Sequence, residues 1–372
     1  MRTSPQALFV SYTSLLGGAE RILLDHATAL AGPAVLACPD GPLADAARDA
    51  GLEVVTLRLR RMELRASARD RLAMPLRMGA QSREVRRIVA GLRPGCVIGW
   101  SMRGLLSSAG ALRGLKPARP LVFHHNDLLP SPLVGRAVKA TARRADLVIA
   151  LSQAIADDLE RGGELGTPIA VVSPGVDLTR FAPQASPPAV PPTALVLGAI
   201  VDWKRPDLAL EATARAARRL PELRVRFAGG PIDAAGDALL ADLQRRADRP
   251  DLAGRVEFLG SVDDVPATLG EATCLLHCSD REPYGMALVE ALACGRPVVA
   301  PASTGPAEIV DASCGVLYAP GDAEAAATAL VDAVERADAL GRAARVRAEA
   351  RFDRAVARGR FRALIDELAP PG

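Results

Sequence analysis

The sequence predicts an α/β protein of two doubly wound, Rossmann-like domains, and three observations carry that prediction. The chain has 372 residues, too many for one ordinary hydrophobic core. Short apolar runs recur along it, each followed by a glycine-bearing or polar loop and then an amphipathic stretch. That is the strand–loop–helix rhythm of a parallel sheet. Near the middle, residues 184–192 hold four prolines, with Pro183 just before them, and such a segment reads as a stiff linker between domains.

In order, residues 7–11 form an apolar run, followed by Gly17-Gly18 and an amphipathic helix to about residue 30. This is the first strand, glycine loop and helix of a doubly wound sheet. The loop lacks the full G-x-G-x-x-G spacing, so by itself it reads as a tight turn. Strands follow at 34–37 and 53–57, around a helix at 42–50. From 58 to 93 eleven arginines stand against Glu63, Asp70 and Glu84, with Leu59, Met62, Leu64, Leu72, Met74, Leu76 and Met78 interleaved. The pattern is either a solvated helical face or a basic surface for an anionic bilayer or acceptor. A strand at 96–99 and a helix at 101–112 come next. The strand at 121–123 runs into His124-His125-Asn126-Asp127, polar residues where open α/β sheets bind ligands. A strand at 146–151 feeds Ser152, a good N-cap for a helix at 153–160, and another strand follows at 169–172.

The second domain opens with a strand at 194–198 and a loop carrying Lys204 and Arg205 before a helix at 207–220. The strand at 225–228 ends in Gly229-Gly230-Pro231, where a backbone can approach a ligand closely. Strands at 256–259 and 274–278 follow, with His277 read as a packing residue. Beyond residue 310 come a strand at 315–318 and helices at 322–337, 339–351 and 353–368.

The densest stretch is 279–310, S-D-R-E-P-Y-G-M-A-L-V-E-A-L-A-C-G-R-P-V-V-A-P-A-S-T-G-P-A-E-I-V. It reads as a turn at Pro283-Tyr284-Gly285, a helix stopped by Gly295, a buried strand at 297–300 and a second helix start at 303–305. Gly285 opens a helix whose first N–H groups lack intrahelical partners, so the local field favours an anion. Glu290 lies among apolar neighbours, which is costly unless its carboxylate is hydrogen-bonded; a pair of ligand hydroxyls would do this. The spacing Glu282-x7-Glu290 puts one carboxylate before the helix and one inside it, at the two ends of a bound diphosphate. The structural alternative makes Glu282 a solvated loop residue and Glu290 a cap for a neighbouring element.

Composition narrows the class. Hydrophobic residues make up 49% and charged residues 24%, the balance of a soluble globular chain. A net charge of +3 gives no reason to expect a nucleic-acid partner. Six cysteines are scattered without zinc spacing, which fits reduced thiols and a cytoplasmic location. No signal peptide opens the chain, and nowhere do 18 apolar residues run together.

The stretch E-P-Y-G-M-A-L-V-E-A-L-A-C-G-R-P-V-V-A with T-G-P-A-E-I-V closely resembles the signature of the retaining glycosyltransferases of family 4. That resemblance implies the GT-B fold, two Rossmann-like domains facing a cleft, divided here as 1–183, a linker at 184–192 and 193–352, with a final helix at 353–372 returning to the first domain. It implies that Glu282 lies by the transferred sugar, that Glu290 holds the nucleotide ribose, and that the turn amides of Tyr284, Gly285 and Met286 take the diphosphate. The string G-G-A-E-R resembles the family's first glycine loop, so Gly17 and Gly18 approach the diphosphate or acceptor. In the family a His-Asp pair follows the strand at 121–123. The His position falls on Asn126, or on His125 if the register slips by one, and Asp127 matches the Asp. Many members carry an Arg directly after the glycine of the 194–198 strand and a Lys five residues on. Here the Arg is replaced by Ala199, Lys204 matches the Lys, and Arg205 is a candidate forked donor in compensation. Gly230 lies on the donor side, and residues 260–265 are similar to the segment that lines the nucleotide base.

The expected function is transfer of a hexose, with retention, from a UDP- or GDP-sugar to an acceptor hydroxyl of a glycan, glycolipid or small molecule. No two aspartates are separated by one residue, so the Asp-x-Asp metal motif is missing and neither metal nor cofactor is expected. Leaving-group charge falls to Lys204, Arg205 and helix N-terminal amides. A glycosidase-like double displacement needs a second carboxylate on the far face; front-side attack by the acceptor, positioned by Asp127 or His125, is the expectation. The other readings are a sugar-nucleotide epimerase or phosphorylase-like protein of the same fold, or a non-catalytic nucleotide-sugar or membrane-surface binder with peripheral contact to an anionic membrane.

Overall fold

The computed structural model describes residues 4–59, 68–184 and 191–371, with the side chains of 68–75 not described. The middle of the proline-rich segment at 184–192 and part of the basic stretch at 58–93 lie outside the described residues. The chain forms two compact units, Met1–Pro174 with Val356–Gly372, and Gly175–Ala355.

The first unit alternates strands and helices: β1 (Ala7–Val10), α1 (Gly18–Ala29), β2 (Ala34–Cys38), α2 (Pro42–Asp49), β3 (Glu53–Thr56), α3 (Ala68–Leu92), β4 (Cys96–Trp100), α4 (Ser101–Leu112), β5 (Leu121–His125), α5 (Pro132–Ala142), β6 (Leu147–Ala150), α6 (Gln153–Glu160) and β7 (Ile169–Val171). Its sheet is parallel in the order β3-β2-β1-β4-β5-β6-β7. Central strands such as β1 and β4 are buried along their whole length, because helices cover both faces of a parallel sheet. That is why they read as unbroken apolar runs rather than alternating ones. Ser152 caps α6, its hydroxyl accepting from the Ile155 amide at 3.3 Å.

The second unit repeats the plan: β8 (Thr193–Leu197), a 3-10 turn (Asp202–Lys204), α7 (Pro206–Ala216), β9 (Arg224–Ala228), α8 (Ala234–Ala247), β10 (Val256–Gly260), α9 (Val265–Gly270), β11 (Cys274–Leu276), α10 (Met286–Ala293), β12 (Val298–Pro301), α11 (Thr304–Ile309), β13 (Gly315–Tyr318), α12 (Ala323–Glu335) and α13 (Ala337–Arg351). The sheet runs parallel in the order β10-β9-β8-β11-β12-β13. Its core gathers Ala194 and Val196 with Leu208, Val225, Phe227, Leu276, Val299 and Leu330. The last helix, α14 (Arg354–Leu368), packs on the first unit. Phe361 stacks on His26 with ring centroids 4.0 Å apart, and Gln6 Nε2 donates to Asp366 Oδ1 at 2.6 Å.

The sequence reading ends β5 too early and does not contain the helices α5, α8 and α9. β5 continues through His124 and His125 instead of ending at residue 123, because His124 pairs with Trp100 and Ile149, and His125 with Ala150. Both rings are buried, so these residues behave as core side chains, not as the start of a polar loop. Helices α8 and α9 occupy stretches that show no strong periodicity. Only Gly236 and Leu243 of α8 are buried, too sparse a stripe to register as an amphipathic pattern. Among the described residues no helix is long and apolar enough to cross a membrane.

Candidate functional site

In both sheets the strand order reverses direction between the first strand and the fourth, at β1/β4 and at β8/β11. Loops leaving neighbouring strands there diverge, and the space outside the strands' carboxyl ends is where open α/β sheets bind ligands. In the second unit the loops from β8 and β11 bring Lys204 and Glu282 together, with Nζ 3.3 Å from Oε2. Seventy-eight residues separate them in sequence. Both side chains are largely withdrawn from solvent, at 24% and 12% exposure. An ion pair in such a place is strengthened by the lowered dielectric but costs desolvation, so it is a weak device for stability and a useful one for function.

Lys204 is held from two further sides. Its Nζ lies 4.7 Å from the centroid of the Trp203 ring, a cation–π geometry. Its stem runs beside Gly198, where an added Cβ would come within 3.3 Å of Cδ, Cε and Nζ. Arg205 has its fork engaged. Its Nε and Nη2 donate to Asp207 at 3.0 Å each, and Nη1 donates to Asp280 at 3.3 Å. The candidate forked donor thus meets two carboxylates of its own chain, because α7 begins at the next residue and sets Asp207 within reach. Gly230 belongs to a seam joining three loops. Its carbonyl accepts from the Ile200 amide at 3.0 Å, and the Gly229 amide donates to Gly260 at 2.7 Å.

Glu282 is also faced by His277, whose Nε2 lies 3.5 Å from the same Oε2 that meets Lys204. Burial pushes the His277 imidazole down to about 4, with the nearby Glu282 charge opposing that shift and Lys204 adding to it. At neutral pH the ring is uncharged. His277 is buried, as a packing residue would be, but sequence reasoning misses its approach to Glu282. A histidine five residues before the glutamate is the available signal.

Beyond Glu282 the chain turns at Tyr284 and enters α10 through Gly285, which has φ 112°. Tyr284 is buried and Met286, the first helical residue, is half-buried. Glu290 lies half-buried one turn further along α10. The Glu282–Tyr284 loop is pressed against the start of α11: the Gly305 amide donates to the Glu282 carbonyl at 3.1 Å. A Cβ on Gly305 would stand 2.2 Å from the Tyr284 oxygen, so only glycine permits this approach.

The other candidates lie in the first unit. Gly17 is the N-cap of α1 and Gly18 its first residue, with the Gly17 amide donating to Glu20 Oε2 at 3.1 Å. His125 is buried, stacked on Phe123 at 4.8 Å, with neither ring nitrogen hydrogen-bonded. Its expected place in a loop is thus corrected to the last residue of β5. Asn126 follows at the strand end, and its Oδ1 meets His124 Nδ1. Asp127 is exposed, with Oδ1 accepting from the Leu128 amide at 2.8 Å.

Comparison with known proteins bears on both units. Residues 180–351 match the family described as Glycosyl transferases group 1, and residues 16–180 match Glycosyltransferase Family 4. D-inositol 3-phosphate glycosyltransferase 2 of Catenulispora acidiphila is 37% identical over 212 residues, which are 52% of this chain and 49% of that protein. D-inositol 3-phosphate glycosyltransferase of a Mycobacterium species is 39% identical over 160 residues, 40% of this chain and 35% of that one. The chain thus spans half or less of the length of these curated relatives. Among solved structures, Anabaena Alr3699/HepE in complex with UDP and glucose superposes with a TM-score of 0.82 at 23% identity, over 97% of this chain and 99% of that one. Sucrose-phosphate synthase from Thermosynechococcus elongatus gives 0.79 at 20% identity, over 97% and 98%. At such identities the structural likeness establishes the GT-B fold. With the signature stretch in place and the two family matches meeting at residue 180, the chain belongs to the group 1, family 4 glycosyltransferases.

Proposed function

We propose that this chain transfers a hexose from a nucleotide-diphosphate sugar, a UDP- or GDP-sugar, to an acceptor hydroxyl with retention at the anomeric carbon. The observation that carries the reading is the Lys204–Glu282 pair at the carboxyl edge of β8 and β11. A cation and a carboxylate held side by side match a donor that presents an anionic diphosphate next to a polyhydroxylated sugar. UDP in the HepE complex supports UDP as the first base to test. The names of the curated relatives support a hydroxyl-bearing small molecule among acceptors, beside glycans and glycolipids.

In this reading Lys204 faces the diphosphate and stabilises the charge that grows on the leaving group, helped by the first amides of α10 at Gly285 and Met286. Arg205 stands behind it with its charge balanced by Asp207 and Asp280, and Gly17, Gly18 and Gly230 keep side chains out of the donor's path. Glu282 accepts a hydrogen bond from a sugar hydroxyl, and Glu290 accepts from the ribose. Asp127 and Asn126 orient the acceptor hydroxyl, with Asn126 favoured over His125 because the His125 ring is turned into the core. The acceptor oxygen bonds to the anomeric carbon on the face the diphosphate leaves. The bond from that carbon to the phosphate oxygen breaks, and the acceptor proton passes to the departing phosphate. No metal is required, and activity is expected to survive EDTA. The exposed Leu59 and Leu76, within the arginine-rich stretch, support peripheral contact with an anionic bilayer, which flotation with phosphatidylglycerol vesicles would test.

The deciding experiment is a thermal-shift panel of UDP-glucose, UDP-N-acetylglucosamine, GDP-mannose and ADP-glucose, followed by an assay for slow donor hydrolysis. A transferase is stabilised by one donor and leaks its hydrolysis. An epimerase interconverts sugars without releasing nucleotide, and an inert binder does neither. The anomeric configuration of the product, read by proton NMR, checks retention.

A further inference from the structure

Glu282 makes asymmetric use of its two oxygens. Lys204 Nζ and His277 Nε2 both converge on Oε2, at 3.3 and 3.5 Å. Oε1 is left for whatever occupies the site. His277 itself is fixed at the end of β11. Its amide donates to the Val299 carbonyl at 2.8 Å, and its carbonyl accepts from the Tyr318 hydroxyl at 2.9 Å. Nε2 is buried and has no hydrogen-bond partner within normal distance. A buried ring nitrogen without a partner costs free energy, and the acceptor facing it is the Glu282 carboxylate.

We propose that His277 is a positioning residue for Glu282: as the Nε2–H tautomer it closes a hydrogen bond to Oε2 when a sugar nucleotide binds, turning Oε1 toward a sugar hydroxyl. The proposal rests on the donor-binding reading above and adds to it a residue outside the signature stretch. Lys204 alone does not define the carboxylate's rotation, because an ammonium is a point charge with rotatable donors. The imidazole N–H is a single directed donor on a ring held by packing, so together the two fix both the position and the plane of the carboxylate. A separation of 3.5 Å suits this role, since hydrogen bonds in such sites are often long until the ligand binds and then tighten.

Two measurements test this. In 15N-histidine-labelled protein, which has four histidines, the His277 signal is assigned by its loss in His277→Leu. It should show the Nε2–H tautomer and should shift in Glu282→Gln. An Nδ1–H tautomer, or a signal indifferent to Glu282→Gln, overturns the proposal. In the second measurement, binding of UDP-glucose and of UDP is compared, or of whichever panel donor gives the largest shift and its nucleoside diphosphate. His277→Leu should weaken the sugar nucleotide by about tenfold or more and leave the free diphosphate within about twofold. His277→Gln, which keeps a donor, should recover part of the loss. In a Glu282→Gln background His277→Leu should add little, because the two act through one contact. Equal weakening of both ligands, or full additivity, would mean that His277 only supports the fold. If the wild type binds none of the four nucleotides, the transferase reading fails, and the imidazole signal still decides this one.

Discussion

Lowering the pH from 7 to 5 is expected to destabilise the first unit before the second. The chain has four histidines, and His26, His124, His125 and His277 are all buried. Burial holds His124 and His125 down to about 3, and His277 down to about 4. His26 is also held well below its ordinary value, first by burial and then by the charges of His124 and Arg358. In the unfolded chain each titrates near about 6.5. The unfolded state therefore binds more protons between roughly pH 6.5 and the folded values of about 3 to 4. Stability is fully present above that window and is lost as the pH falls through it. At pH 5 each such histidine has cost about 2 kcal/mol relative to pH 7. For His124 and His125 together that is about 4 kcal/mol, a large share of the roughly 5–15 kcal/mol typical of a domain.

The first unit carries three of the four rings. His124 stacks on Trp100 at 3.9 Å, and His26 stacks on Phe361 of α14 at 4.0 Å, so α14 should loosen with it. Urea unfolding at pH 7 and pH 5, followed by fluorescence of the buried Trp100 in a Trp203→Phe background, measures the effect. His26→Leu removes one proton site and should flatten the pH dependence. Equal urea midpoints at both pH values, or histidine ring protons that titrate near 6.5 in the folded protein, would refute the reasoning.

Three further outcomes are expected. Lys204→Ala and Glu282→Gln should each lower turnover about 10²–10³-fold, the usual effect of removing one preorganised electrostatic contact, measured as product formation at saturating donor. Gly305→Ala should destabilise the second unit by about 1–3 kcal/mol, because its methyl would meet Tyr284 backbone atoms at 2.2 to 2.6 Å; the thermal shift given by the donor should shrink as well. Thr304→Gly should stabilise. Thr304 has φ 41° and a buried hydroxyl with no hydrogen bond, a strain of about 1–2 kcal/mol set against a glycine entropy cost of about 0.5–1 kcal/mol. A lower urea midpoint in that variant would contradict the strain argument.

Much of the candidate site was legible in the chain. Glu282, the Gly285 helix mouth and Glu290 lie within one local stretch whose geometry is dictated by a turn and a helix start. Lys204 was legible as a cation on a loop just past a strand. His277 was harder, because a buried histidine at a strand end looks the same in sequence whether it packs or faces a carboxylate. The partners of Arg205 were harder for a related reason: the carboxylate of Asp280 that takes part of its fork lies seventy-five residues away.

By itself the sequence determined two parallel sheets with helices on their faces, since apolar runs bounded by glycine and polar loops can bury both strand faces in no simpler way. It determined the anion-favouring mouth of α10 as well, because helix termini and glycine turns are local properties. The tertiary structure alone decided the strand orders, the extension of β5 through two histidines and the meeting of Lys204, Glu282 and His277. Those depend on which loops leave adjacent strands and on what covers each side chain, and neither is written in the spacing of residues along the chain.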